Sequence, residues 1–369
     1  MRATEGGLKV SILTAAASLA VFAGAGRAFA QEAETGSGEQ ARLLIANQGA
    51  RAFGGRIVGD LATAALHCDH GYVDWQIPVD ARDVPLLMWH SSSTKTWETT
   101  FDRRWGFKNI FLRRGFPVYI IDGPRNGRAS WGCEAWTYTP DTTGRAARTI
   151  SSFRLGTWNP PDPPEFFPNV QFATDDEHAL DQLFRGRYLE FETIPNAQLE
   201  SDEVAKLVRS VGPVTILSHS GSGIRGWLTR LKSDKVAGIV AYEPVGYVFP
   251  VGAPEASDRD VEVPLAEFEK LTKIPIQVVF GDNLDEVPIW ADAFARGQAF
   301  VEAVNSHGGD AELLHLPEIG IFGNTHFPMS DLNNREIAQL LMQFLREKGL
   351  AERGERESAV ASIEWDEER

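Results

Sequence analysis

The stretch Pro213-Val-Thr-Ile-Leu-Ser-His-Ser-Gly-Ser-Gly223 decides how the rest of this chain is read. Val214, Ile216 and Leu217 form a short apolar run with β-branched members, which predicts a buried strand entering a tight turn. Ser220 stands at that turn, and the residues two places either side, Ser218 and Ser222, are small. From Gly223 the sequence continues as a helix. A serine on a sharp strand-to-helix turn projects its Oγ, and the crowding there tolerates only small side chains at the flanks. That is the steric content of a nucleophile elbow. Both customary glycines are replaced by serine, so the match is to the steric pattern and not to its letters.

Other apolar runs flank the elbow. Pro85-Leu-Leu-Met-Trp-His90 and Pro117-Val-Tyr-Ile-Ile-Asp122 predict buried strands, with a helix over Trp105 to Arg114 between them. Strand, helix and strand at this spacing describe a βαβ unit, and so an α/β chain with a mostly parallel sheet. Val236–Tyr242, Ile274–Phe280 and Ala311–Leu316 extend the sheet, and helices are expected over Trp290–Ser306 and Asn334–Lys348. Upstream, Gly49 to Val79 alternates and reads as two antiparallel strands. Residues 131–200 break the rhythm with many aromatics among prolines, and are expected to be an ordered but irregular cap insertion. Within it Thr174-Asp-Asp-Glu177 has the form of a capping box, and Ser201 is expected to cap a helix running to Val211.

The first thirty residues have the form of a signal peptide: Arg2 and Lys9, an uncharged stretch from Val10 to Gly26, and Ala28-Phe29-Ala30 as cleavage site. Residues 31–47 read as a polar leader, 48–349 as the folded domain, and 350–369 as a frayed acidic tail. The mature chain is expected to be exported, to the periplasm or the medium, with no membrane span. The full chain carries a net charge of −15, and loss of residues 1–30 leaves 33 basic and 50 acidic residues. That balance argues against nucleic acid as a partner. A homodimer is compatible with the sequence. His67, Cys68, Asp69 and His70 form a ligand-like cluster, but neighbours on a strand point to opposite faces, and no metal or other cofactor is expected. In an exported chain Cys68 and Cys133 are either one disulfide or two buried thiols.

Several predicted strands finish in polar residues: His90, Asp122, Ser220, Glu243, Asp282 and Asp285, with His326 in a later loop. In an open parallel sheet ligands bind beyond these strand ends. A serine hydroxyl needs a base within hydrogen-bond reach, and the base needs a carboxylate to hold its tautomer. His326, in the glycine-flanked loop Gly323-Asn-Thr-His326, is the best placed of the eight histidines. His219 adjoins Ser220 but points away from it, which suits packing. Asp282 or Asp285 occupies the commoner position for the acid, and Glu243, after the strand that follows the elbow helix, is the alternative.

On these motifs the chain resembles the α/β-hydrolase superfamily, and within it a small group of exported bacterial esterases with Ser-His-Ser-x-Ser-Gly at the elbow and Gly-Asn-x-His at the histidine. The resemblance runs from about Tyr72 to Leu345 and includes Tyr72-Val-Asp-Trp-Gln-Ile-Pro78, Gly115-Phe-Pro-Val-Tyr-Ile-Ile-Asp122 and Val279-Phe-Gly-Asp282. It implies an eight-stranded, mostly parallel sheet flanked by helices, and a glutamate as triad acid, which ranks Glu243 ahead of Asp282 and Asp285. It also implies an oxyanion hole formed by the backbone N–H groups of Gly221 and Ser92. Where the group has cysteines in that loop, this chain has serines. The implied topology sets the second strand beside the fourth and brings Cys68 near Cys133, favouring the disulfide.

The expected activity is therefore hydrolysis of a small carboxylic ester with an apolar portion, through an acyl-enzyme on Ser220. His90, Trp131, Trp136, Trp158, Phe166 and Phe167 are candidates for the substrate pocket. The same triad would serve a lactonase or an amidase, and a non-catalytic binding protein on a hydrolase scaffold is the reading from another class.

Overall fold

The computed structural model describes residues 42–91, 93–135, 139, 144–189 and 191–354. The proposed signal peptide and most of the leader and acidic tail lie outside these residues, as do Ser92 and Trp136.

Eight strands form the central sheet: β1 (Ile45–Phe53), β2 (Gly71–Pro78), β3 (Leu86–Trp89), β4 (Val118–Asp122), β5 (Val214–His219), β6 (Val236–Tyr242), β7 (Pro275–Phe280) and β8 (Asp310–His315). Their spatial order is β1-β2-β4-β3-β5-β6-β7-β8. β2 is antiparallel to both of its neighbours, and every other pairing is parallel. This is the α/β-hydrolase fold, with the mostly parallel eight-stranded sheet expected. The inner strands are apolar at nearly every position because both faces are covered. Leu87, Trp89, Ile216, Ile239 and Ala241 face one layer of helices. Leu86, Met88, Leu217, Val240 and Tyr242 face the other.

The covering helices are α1 (Phe107–Arg113), α2 (Arg145–Ser152), α3 (Glu177–Arg185), α4 (Ile194–Val211), α5 (Ser222–Lys232), α6 (Pro288–Ser306) and α7 (Asn334–Glu347). α4, α5 and α6 bury Val204, Trp227 and Phe300 against the first face. α1 and α7 bury Phe111 and Phe344 against the second.

Register gathers the functional side chains. Ser218 lies opposite both Trp89 and Ala241, and Tyr242 lies opposite both His219 and Val279. His90, Ser220, Glu243 and Gly281 therefore leave the sheet at one level along its carboxyl edge.

Several local expectations are corrected. α4 starts at Ile194, not near Ser201: Thr193 is its cap, accepting from Asn196 N–H at 3.3 Å, and Pro195 sits in the first turn, where its missing N–H is harmless. Ser201 is buried mid-helix and turns its hydroxyl back to Ala197 O. α3 is capped by Asp176, whose carboxylate accepts from His178 N–H at 2.9 Å, and not by Thr174. The insertion holds α2, α3 and a two-stranded pair, Gly156–Thr157 with Glu165–Phe166. The tail is not loose from its first residue, because Leu350 and Ala351 are buried against α7's layer. β1 already begins at Ile45, within the stretch read as leader.

Two strands were expected between Gly49 and Val79, and four are found. Between β1 and β2 a hairpin, Arg56–Asp60 with Ala64–Cys68, rises from the carboxyl edge of the sheet. Its residues are almost all exposed, including Ile57, Val58 and Leu61. An isolated hairpin is marginal in water. This one is anchored at its base by a disulfide between Cys68 and Cys133. Asp69 beside it takes Arg125 at 2.8 Å and Arg56 at 3.1 Å, so the cysteine and carboxylate of the ligand-like cluster are both committed to structure. Replacing Cys68 and Cys133 by serine is expected to lower the unfolding free energy by up to about 4 kcal/mol, the chain-entropy value for a loop of this length. Urea titration of the oxidised protein and the double variant measures it.

Candidate active site

The elbow is built by strand and helix constraints acting on one residue. Ser220 adopts a left-handed backbone, φ 55°, between the end of β5 and the start of α5. Its N–H donates to Tyr242 O at 2.9 Å, and its own carbonyl accepts from Gly223 N–H at 3.0 Å. His219 and Gly221 are buried on either side while Ser220 is partly exposed, as a projecting hydroxyl requires. The two serine replacements have physical reasons. Ser218 is fully buried and packs beside Gly226 of α5. Ser222 Oγ lies 2.7 Å from both Trp89 O and His219 N. A glycine could not make this link between the elbow and the end of β3.

The loop after β3 is held from below. His90 is buried with Nε2 2.7 Å from Asp122 Oδ1, and Asp122 is also paired with Arg128. Asn126 Nδ2 donates to Ser91 O at 3.3 Å. His90 thus faces the carboxylate at the end of β4 and supports the loop; its ring meets Tyr188 edge-on at 5.5 Å. Gly221 opens α5, so its N–H stands at the positive end of a helix.

Glu243 follows β6 in a second left-handed conformation, φ 52°, and is fully buried. Its Oε1 accepts from Arg154 Nη2 and from Gly281 N–H, both at 2.6 Å. Its Oε2 lies 3.6 Å from His326 Nδ1, slightly beyond hydrogen-bond length. Burial would push the Glu243 carboxyl up, but the Arg154 guanidinium and the His326 ring together hold it at about 2. Burial pushes His326 below the usual histidine value, partly offset by Glu243.

Of the alternative acids, Asp285 is exposed. Asp282 spends its carboxylate on the N–H groups of Asn283 at 2.7 Å and Gly323 at 2.8 Å. It therefore braces the loop that carries His326. Asp331 braces the same loop from the other side, accepting from Thr325 N–H and Oγ1 at 2.7 Å. His219 is the packing residue expected, and it also docks this loop on the elbow through a 2.8 Å contact between Nε2 and His326 O. The His219 and His326 ring centroids are 4.6 Å apart.

The aromatic surroundings differ from those expected. Phe153 stacks on His326 at 5.2 Å, and Trp290 lies 4.2 Å from it. Trp131 is 63% exposed beside the hairpin base, so it is not a pocket wall. Trp158 bonds Asp162 O, and Phe166 and Phe167 serve the small strand pair and its turn. Among the described residues these three make no ring contact with the triad candidates. The parts of the insertion that reach the sheet edge are the end of α2, through Phe153 and Arg154, and the segment before α4, through Tyr188 and Glu192.

Arg154 was not anticipated. It is fully buried at the end of α2, donates Nε to Asp282 O at 2.7 Å, and lies over Trp290. The available signal was a lone cation between Phe153 and Leu155, which once buried demands an acidic partner. Residues 187–192 were likewise missed. Arg187 lies over Phe153, Tyr188 meets His90 and Thr94, and Glu192 reaches Ser91.

With this geometry in hand, likeness to known proteins has a structural meaning. No family model matches the chain. A novel bacterial esterase superposes with a TM-score of 0.68 at 27% identity, covering 85% of this chain and 99% of that one. A probable secreted lipase from a fungal species (strain ATCC 74256) is 24% identical over 318 residues, 75% of this chain and 86% of the lipase. The protein is an α/β hydrolase. More particularly, it is an esterase- or lipase-like hydrolase. Among the described residues no helix is long and apolar enough to cross a membrane.

Removing Arg154's charge should be visible in a pH profile. As the proposed base, His326 must be neutral to act, so its lowered pKa is expected to put the acid limb of kcat/KM below pH 6.5. Arg154→Met removes a cation that lowers that pKa, so the limb should move upward in pH while the plateau falls by roughly tenfold or more as Glu243 loses its anchor. A purely structural Arg154 would reduce the plateau without moving the limb.

Proposed function

We propose that the protein hydrolyses carboxylic esters through an acyl-enzyme on Ser220. His326 takes the Ser220 proton as Oγ attacks the ester carbonyl, then returns it to the departing alcohol. Water repeats the sequence against the acyl-enzyme with His326 again as base. Glu243 holds the Nδ1–H tautomer and stabilises the imidazolium that forms at each step. Gly221 N–H and, from the loop after β3, Ser92 N–H receive the oxyanion.

The observation that carries this reading is the setting of Glu243. A buried carboxylate with one oxygen anchored by Arg154 and Gly281 and the other turned to His326 Nδ1 is an orienting acid, kept ionised at any pH where a serine hydrolase works. Gly221 supports the oxyanion assignment, since among the described residues no acceptor takes its N–H. Export of the mature chain is part of the proposal; the disulfide and the likeness to a secreted lipase support it.

Ser220→Ala should abolish both p-nitrophenyl ester hydrolysis and fluorophosphonate labelling; retention of both would mean that another residue is the nucleophile. Glu243→Gln should lower kcat by several orders of magnitude. Asp285→Asn should leave kcat near wild type, and Asp282→Asn should cost stability more than rate. A panel of esters, lactones and amides run on the wild type separates the ester reading from its relatives.

A further inference from the structure

Ser91, just after β3, and Glu192, ahead of α4, both approach Gly221 beside the proposed nucleophile. A Cβ added to Gly221 would lie 2.7 Å from Glu192 Oε1 and 2.9 Å from Ser91 Oγ. Ser91 Oγ is itself 3.5 Å from the same carboxylate oxygen. Glu192 is exposed, and among the described residues no lysine or arginine pairs with it. Residues 187–192 carry the opposite charge at their other end, where Arg187 lies 5.1 Å over Phe153, which stacks on His326.

A carboxylate beside an oxyanion donor is a problem for a neutral ester. Negative charge grows on the carbonyl oxygen in the transition state, and a second negative charge nearby opposes it. A cation on the substrate removes the conflict by pairing with Glu192. We propose that Glu192 is a specificity-determining residue that selects esters carrying a quaternary or protonated amine near the scissile carbonyl, and rejects esters carrying a carboxylate there. The inference rests on the Ser220 ester-hydrolase reading and adds a substrate class to it.

Two matched pairs test it. One is acetylthiocholine against its uncharged tert-butyl isostere, which places the cation on the leaving group. The other is a p-nitrophenyl ester with a trimethylammonium-bearing acyl chain against its tert-butyl isostere. The wild type should favour the cationic member of at least one pair by about two- to fivefold in kcat/KM, the scale of one exposed ion pair. The preference should fall toward parity in Glu192→Gln, reverse in Glu192→Lys, and weaken in high salt. Turnover of the neutral member should rise in Glu192→Gln. An active enzyme whose cationic-to-neutral ratio is the same in wild type and Glu192→Gln for both pairs overturns the selectivity alone. Failure of the wild type to cleave any of the four esters, together with no fluorophosphonate label on Ser220, overturns the hydrolase reading and the selectivity with it.

Discussion

The contact between Arg154 and Glu243 is the one on which the site depends. Both side chains are fully buried, and neither charge could stay in the interior without the other. The pair joins three parts of the chain: the insertion through Arg154, the end of β6 through Glu243, and the exit from β7, because Arg154 also holds the Asp282 carbonyl. Asp282 in turn holds Gly323, and so the approach to His326. One guanidinium therefore sets the position of Glu243, the proposed acid, and, through a relay of hydrogen bonds, the approach to His326, the proposed base.

This has consequences for the insertion. A cap domain is often imagined as a lid, but lifting α2 from the sheet would strand a buried carboxylate and a buried guanidinium. The insertion is fixed at this end as part of the catalytic edge. Its other approach to the site, residues 187–192, touches the elbow through exposed or half-buried side chains, and there the cost of rearrangement is small.

The sheet was legible in the sequence because its strands are buried on both faces, so apolar runs such as Leu86–Trp89 and Val236–Tyr242 stand out without any alternation to decode. Ser220 and His326 could be nominated because each ends such a run or follows it in a glycine-rich loop, whereas Glu243 was ranked ahead of Asp282 and Asp285 only through the family resemblance. The nominations of Asp282 and Asp285 came from strand order alone; which carboxylate meets the histidine depends on backbone direction at single residues, and no pattern of residue types states that. The insertion was opaque for a related reason. Several of its aromatics pack on the second layer, while the residues that reach the site include Phe153 and the isolated polar positions Arg154, Tyr188 and Glu192, which follow no period. The hairpin at Arg56–Cys68 was merged with its neighbours because glycine turns spaced this closely leave strand ends ambiguous.

Ser220 and Glu243 share a feature whose effect lies outside the chemistry. Both are non-glycine residues held at positive φ, a conformation that costs roughly 1–3 kcal/mol each. The strain turns both side chains off the ends of their strands and out over the sheet edge, where unstrained residues would point into one layer or the other. Glycine would relieve it at either position, yet the two are not equivalent. At 220 nothing buried would be orphaned, so the fold would gain from losing the proposed nucleophile; at 243 the relief would be outweighed by an unpaired Arg154. Any drift toward greater stability thus runs against the serine, while the ion pair protects the glutamate. The fold itself keeps Glu243, and only the proposed chemistry would keep Ser220.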